Sequence, residues 1–349
     1  MPTLKQQIGC WIHERWQAEL ALRFPRIASA FRWNWLDLCN RHERLTVDKD
    51  SGGRICHWSD SSPLTVARMF PDLGSRLIDH CLQAWPIQFN TSERCKPANP
   101  DISIVIGVRG TGRLPQFKAC LASLRAQTGA DCEVIVVEQS CEPEFQSLIP
   151  SDIQYIHQQS THKDMPFNRS WALNCGVFAA KGRVVLLHDA DMLLPARAAS
   201  QICERLNSGL DAVRLARFIF YLDQHSSQSV QETNGFKQIR NVDWIVQNNP
   251  TPVALKRDTY FQIGGHDESF YGWGAEDLEF MDRLRTTKLS EGAFLPIVHL
   301  WHEEAPNRSG DRNAEQLQRC RSMDATDRIT KLGTRPFGQR LPTASWQVA

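Results

Sequence analysis

Long apolar runs are missing from this 349-residue sequence. Nowhere do about 18 uninterrupted apolar residues occur, the length a membrane-crossing helix requires. The opening stretch MPTLKQQIGCWIHERWQAEL holds no continuous apolar segment, since His13 and Glu14 interrupt it, so it does not read as a signal peptide. The expectation is a cytoplasmic protein, at most peripheral at the inner face of a membrane. An excess of one charge is also missing, with 40 basic against 39 acidic side chains and a net charge of +1. That balance supplies no global field for nucleic acid, which is not an expected partner. A phosphate-bearing substrate would need local Arg, Lys or metal. No two of the 11 cysteines form a C-x-x-C pair, which argues against a zinc finger or a thioredoxin-like site. Their odd number, with several inside apolar runs, reads as buried reduced thiols.

What is present divides into three stretches. Residues 1–95 read as a helical N-terminal region, with Ile8, Trp11, Ile12, Trp16 and Leu20 at helical spacing. Six aromatics fall between Trp11 and Trp35. The weightier reading packs them against the main body; the other makes them a docking surface for a lipid interface or a partner protein. Thr91 to Pro100 is a polar, Pro-containing linker. Residues 96–330 carry the α/β domain, and 331–349 form a C-terminal tail.

From residue 101 apolar strands alternate with helical periodicity. Ile102–Val108, Cys132–Glu138, Ile153–Ile156 and Val184–Leu187 read as strands, with Leu114–Gln127 and Phe167–Ala180 as helices. Such alternation implies a parallel sheet covered by helices on both faces. Ligands in these sheets sit at the carboxyl ends of strands, so the loops after Val108, Val137 and Leu187 draw attention. The Ser- and Gln-rich segment Asp223–Thr233 reads as a flexible excursion within a stretch, Phe218–Asn249, that would order on ligand binding.

Three constellations carry chemistry. The first is Asp189-Ala190-Asp191 after the apolar strand Val184–Leu187, where two carboxylates stay near the loop mouth. Carboxylate oxygens suit a hard divalent cation, Mn²⁺ or Mg²⁺, that would neutralise a departing diphosphate. The second is the run from Gly264 to Glu279, with Gly264, Gly265, Gly272 and Gly274 allowing tight turns and close backbone approach to a ligand. Within it Trp273 offers a flat face for a sugar ring. Glu276 and Asp277 open a helix whose dipole would keep a general base ionised. The third is His299-Leu-Trp-His302. Period-two geometry prevents one strand from presenting both imidazoles on one side, so one would complete the coordination begun by Asp191. His302, where the strand runs out into the loop to Asn307, is favoured and His299 is the reserve.

These residues also resemble a known family. Phe167-Asn-Arg-Ser-Trp-Ala-Leu-Asn174, Asp189-Ala-Asp191, Gly264-Gly-His-Asp-Glu268 and Gly272-Trp-Gly-Ala-Glu-Asp277 stand in the order found in glycosyltransferase family 2 domains of the GT-A fold carrying a galactosyltransferase-type C-terminal motif. Residues 102–302 are similar to β-1,4-galactosyltransferases, polypeptide N-acetylgalactosaminyltransferases and bacterial chondroitin polymerases. The resemblance implies a Rossmann-like donor half at 101–195 and an acceptor half at 250–305. It implies a UDP-sugar donor, with Val108, Arg109 and Glu138 near uracil and ribose, and Arg169 near the phosphates. Asp189 and Ala190 would face the ribose or donor sugar, while Asp191 would bind metal with His302, assisted by Asp189 or His299. Trp273, Gly274 and Glu276 would shape the sugar pockets, and Asp277 would deprotonate a saccharide or lipid-linked acceptor with inversion. The sequence departs from the animal pattern at Leu278, where a third acid is usual, and at Gly107-Val-Arg-Gly110, where that pattern has proline and asparagine. A nucleotidylyltransferase or a silent glycan-binding protein are the rival readings, and neither explains the Gly272–Asp277 block.

Overall fold

The computed structural model describes residues 3–160, 162–237, 239, 241–303 and 310–335. The chain opens with α1 (Leu4–Cys10), started by a capping box in which Thr3 and Gln6 satisfy each other's backbone amides. A π turn at Trp11–Arg15 passes directly into α2 (Trp16–Arg23), and Pro25 then starts α3 (Pro25–Ala30). Next come β1 (Leu45–Val47), β2 (Arg54–Cys56), β3 (Ser62–Pro63), α4 (Thr65–Met69) and α5 (Pro71–Ala84). The region expected to be helical and somewhat irregular therefore also supplies short strands. The expectation that its aromatics pack inward holds for Trp35, which is buried, but fails for Trp11 and Trp16, which are 60% and 55% exposed. The physical reason is local. This helix buries small or polar positions, Cys10, Glu14, Ala18 and Ala21, and turns its large apolar side chains outward.

The α/β part begins with β4 (Ile102–Val108), α6 (Leu114–Arg125), β5 (Cys132–Ser140), β6 (Gln154–Gln159), α7 (Arg169–Ala179), β7 (Val184–His188) and β8 (Met192–Leu193). It continues through α8 (Ala198–Asn207), β9 (Ala212–Arg214), β10 (Ala216–Leu222), α9 (Gln224–Thr233), β11 (Val242–Gln247), β12 (Val253–Lys256) and α10 (Arg257–Gln262). The last elements are α11 (Glu276–Leu284), β13 (Leu289–Ser290), β14 (Leu295–His299), α12 (Gly310–Arg321) and α13 (Ala325–Gly333). The tail expected from residue 331 starts inside α13, and its remainder lies outside the described residues.

Two sheets frame the molecule. The larger has the order β13-β9-β12-β7-β4-β5-β6, in which β7, β4, β5 and β6 run parallel as the strand–helix alternation predicts. Helix α7 lies on this sheet at very close range. A Cβ added at Gly176 would come within 2.2 Å of Val105 Cγ1, so only glycine permits the approach. The second sheet, β3-β11-β10-β14-β8, is not foreseen from the sequence. The N-terminal region is built into it. Pro63 in β3 pairs with Val246 in β11, and the buried Arg217 guanidinium in β10 donates to the Leu36 and Leu38 carbonyls. One apolar cluster accordingly runs from Cys10 and Trp35 through Phe218 to Leu300.

The segment expected to be flexible, Asp223–Thr233, is α9. Its cap is the Asp223 carboxylate, which accepts from the Ser226 amide at 2.7 Å. Ser226, Ser227 and Val230 form its buried face, so a helix here uses small hydroxyl residues where apolar ones would have advertised it. Among the described residues the cysteines form no disulfide.

Candidate active site

Strand β7 delivers Asp189-Ala190-Asp191 to the carboxyl edge of the parallel sheet, as expected. The partner segment is brought in by a pairing that sequence reasoning missed. Strand β8 runs antiparallel to β14 with Met192 opposite His299, and the Leu300 amide donates to the Asp191 carbonyl at 2.9 Å. Asp191 is thereby set between the two histidines. His302 Nε2 lies 3.2 Å from Asp191 Oδ2, and His299 Nε2 lies 3.6 Å from Oδ1. One ligand atom from each of Asp191, His299 and His302 falls within 4.8 Å of the others, a spacing suited to one metal ion. The choice between the two histidines thus dissolves. Strand geometry ends at His299, so the period-two restriction no longer governs His302.

The two rings are oriented differently, His302 by a hydrogen bond and His299 by stacking. His302 Nδ1 is 2.8 Å from the Glu303 carbonyl, which can only accept, so Nδ1 carries the hydrogen. In the neutral ring Nε2 is then an acceptor facing a carboxylate oxygen, an arrangement that calls for a cation or a proton between them. His299 stacks on Tyr221, ring centroids 4.3 Å apart, and its Nδ1 has no partner. Burial lowers the His299 pKa, against the pull of Asp191, which favours the neutral ligand form. The backbone between the histidines is clamped. Trp301 donates to Ser227 of α9 and accepts from Gln116 of α6, each at 2.7 Å. Asp191 is buried, which raises its pKa, but the two imidazoles and Arg113 outweigh that and hold it well below the usual carboxylate range. Arg113, in the turn before α6, donates to Asp191 Oδ2 at 3.0 Å. Arg113 is not among the site residues expected above.

Asp189, expected to assist the metal, is placed otherwise. Its Oδ1 accepts from Arg169 Nε and Nη2 at 3.0 and 2.7 Å, and it is not part of the Asp191–His299–His302 group. The remaining Arg169 nitrogen, Nη1, donates to Asp277 at 2.8 Å. One guanidinium at the start of α7 therefore ties the D-x-D loop to the first turn of α11. Burial would lower the Arg169 pKa, but the carboxylates of Asp189 and Asp277 raise it well above the ordinary arginine value.

Glu276 and Asp277 are aimed by a strained turn. Gly272 and Gly274 have φ of +75° and +102°, and Ala275, a non-glycine, follows at +71° before the helix begins. Trp273 between the glycines is 60% exposed, and its carbonyl accepts from Asn313 of α12 at 3.2 Å. Both acids at this helix start are shifted upward, against the pull of the helix dipole. Burial, reinforced by the charge of Asp277 and opposed by Arg169, pushes Glu276 up to about 7, and its Oε2 has no partner. Asp277 is also raised, by burial and by Asp189, against Arg169 and a hydrogen bond from Thr251. Burial outweighs the dipole here, and the negative charge of Asp189, joined for Glu276 by that of Asp277, adds to it.

The residues expected near the nucleoside lie at the end of β4 and within β5. Val108 is buried at the end of β4. Arg109 turns back to donate to the Met165 and Lys163 carbonyls. Glu138 is fully buried. Its Oε1 accepts from Ser140 and the Glu144 amide at 2.5 and 2.9 Å, and its Oε2 from Tyr155 and the Phe145 amide at 2.5 and 3.0 Å. Both oxygens thus anchor the loop after β5. Ala190 is half-buried between the two aspartates.

A parallel α/β frame with acids, two histidines and an arginine at its carboxyl edge is consistent with a GT-A glycosyltransferase domain, and the comparisons with known proteins supply the family. Residues 103–291 match the model of the family described as glycosyltransferase like family 2. That match covers more than half of the chain, and the chain belongs to this family of glycosyltransferases. The curated protein "Chondroitin synthase" of Pasteurella multocida (strain Pm70) is 23% identical over 267 residues, covering 63% of this chain and 26% of that protein. The chain thus spans about a quarter of the length of that relative. Among the described residues, no helix is long and apolar enough to cross a membrane.

Proposed function

We propose that this glycosyltransferase moves a hexose or N-acetylhexosamine from a UDP-sugar to an acceptor hydroxyl with inversion, in the assembly of a bacterial surface polysaccharide. The observation that carries the reading is the convergence of Asp191, His299 and His302 beside the Arg169-linked pair Asp189 and Asp277. The name of the Pasteurella relative speaks for a polysaccharide product. The acceptor would be a saccharide or a lipid-linked saccharide.

The donor set of one carboxylate and two imidazoles fits a divalent ion of the Mn²⁺ type better than Mg²⁺, which prefers oxygen ligands throughout. Bound there, such an ion supplies Lewis-acid neutralisation of a diphosphate leaving group. The chain's own residues do the rest. Arg113, at the rim of Asp191, is within reach to pair with a phosphate. Trp273 offers its exposed face to a sugar ring. Arg169 fixes the distance between the D-x-D loop and Asp277, which accepts the acceptor hydroxyl's proton as the sugar's anomeric carbon is displaced from its phosphate oxygen. Glu276, buried alongside, raises the affinity of the pair for that proton. A positioned base of this kind contributes about 10²- to 10⁴-fold in rate.

The test is UDP release from a panel of UDP-sugars, with Mn²⁺ and with a chelator, for the wild type and Asp191→Ala. Release from one sugar that is lost on chelation and in the variant supports the reading. Release unaffected by either removes the metal from it, and release from no sugar, with or without saccharide acceptors, rejects the donor class.

A further inference from the structure

The first thirty residues carry an apolar face that the transferase reading does not use. In the helix formed by α1, the π turn and α2, Leu4, Ile8, Trp11, Ile12 and Trp16 are each more than half exposed. Positions five apart would diverge on an α-helix. The π turn, hydrogen-bonded i to i+5, brings Trp16 back into line with Trp11. The face continues around the corner through Phe24 and, after α3, Phe31, which is 76% exposed. Eight of the thirteen large apolar side chains recorded as exposed among the described residues fall in this segment. On a water-soluble surface so contiguous a patch marks an interaction site.

The charges around it select the occupant. Lys5, Arg23, Arg26 and Arg32 are exposed, whereas no acidic side chain is exposed between residues 3 and 32. Glu14 is buried, and Glu19 is held by Arg15, Arg23 and Arg76. A two-fold pairing of the same face would bring like charges together at its rim, which disfavours a second copy as the cover. Indole rings with an apolar body and a polar N–H, bordered by cations, match the boundary between acyl chains and anionic headgroups. We propose that this helix lies in the plane of an anionic membrane surface, with Trp11 and Trp16 inserted and Lys5, Arg26 and Arg32 at the phosphates. The inference is independent of the donor, the metal and the base proposed above.

The experiment is flotation of the full chain with vesicles of phosphatidylcholine alone and of equimolar phosphatidylcholine and phosphatidylglycerol. Binding to the anionic vesicles alone is expected, weakening with added salt. Trp11→Glu with Trp16→Glu, and separately Lys5→Glu with Arg26→Glu, should each lower it about tenfold or more. Phe178→Glu, an exposed apolar position outside the patch, should leave it unchanged. These positions are on the surface, so thermal unfolding should match the wild type and confirm folding. No binding to anionic vesicles, or binding indifferent to the tryptophan pair, overturns the proposal. So does a wild-type dimer seen by light scattering that the tryptophan substitutions disperse, with no vesicle binding.

Discussion

Arg169 and Asp277, on different helices and far apart in sequence, meet at 2.8 Å, and the same guanidinium holds Asp189 at 2.7 Å. A single cation therefore sets the spacing between the D-x-D loop and the acids of α11. Arginine suits the position because its rigid planar fork holds two carboxylates at a fixed separation, whereas an ammonium is a point charge on a flexible stem. Arg169→Ala should lower kcat about 10²-fold or more, because Asp277 loses both its position and its counter-charge. It should also destabilise the fold by about 1–3 kcal/mol, since two half-buried carboxylates lose the cation they share. Arg169→Lys should recover part of the stability and less of kcat. Steady-state kinetics and thermal unfolding of both variants check this, and an Arg169→Ala enzyme with wild-type kcat would refute it.

The raised acids predict a pH dependence. Glu276 is pushed up to about 7 from an ordinary 4.5, by burial first and then by the charge of Asp277. The folded state thus holds a proton that the unfolded chain releases at lower pH. The stability from that proton is fully present below about 4.5 and is lost as pH rises through about 7. Activity should run the opposite way, since the base must be ionised, so kcat/KM should climb with pH and level off above neutrality. Glu276→Gln removes the carboxyl that is pushed up to about 7, and should move that limb to lower pH while flattening the stability slope. Rate profiles and chemical unfolding at several pH values read both effects. An unshifted limb would mean that a different group controls it.

How much of this was legible depended on whether a feature was local. The strand Ile102–Val108 and the helix from Leu114 announced themselves by apolar runs and periodicity, and the structure places them within a residue or two. The D-x-D loop and the Gly272–Asp277 turn were likewise readable because their chemistry is contiguous. What escaped was pairing at a distance. Strand β8 is only Met192–Leu193, too short to show a period, yet its register with β14 is what sets His299 and His302 on Asp191. Helix α9 escaped because serines form its buried face. The outward Trp11 and Trp16 defeated the rule that tryptophan is usually covered, and the cations around them were the signal that could have warned of it.

Glu138 offers a sharp test of role. Four donors within 3.0 Å occupy its carboxylate, which burial raises and these hydrogen bonds lower further, leaving it below the ordinary value. Glu138→Gln should turn an amide N–H₂ toward groups that are themselves donors, at a cost of about 2–3 kcal/mol. The expected result is a melting temperature lower by several degrees, with kcat little changed once the protein is folded. A KM for the donor that rises strongly while stability stays constant would instead assign Glu138 to the nucleoside, as the family resemblance implies.

Arg113 sits where two functions compete. Its guanidinium is 3.0 Å from Asp191 Oδ2, the oxygen that also faces His302 at 3.2 Å. A divalent ion held by Asp191 and the histidines would be repelled by that charge, whereas a diphosphate arriving beside the ion would attract it. Its side chain is 43% exposed, so it can swing from one partner to the other without unpacking the core. Arg113→Ala should therefore tighten binding of Mn²⁺ alone, measured by calorimetry in the absence of nucleotide. The same variant should raise the KM for the donor about tenfold or more, the worth of one charge-assisted hydrogen bond. Opposite signs for metal and donor are the signature of an arginine that hands Asp191 over to the ion. If both affinities fall together, Arg113 merely braces the loop, and the competition does not exist.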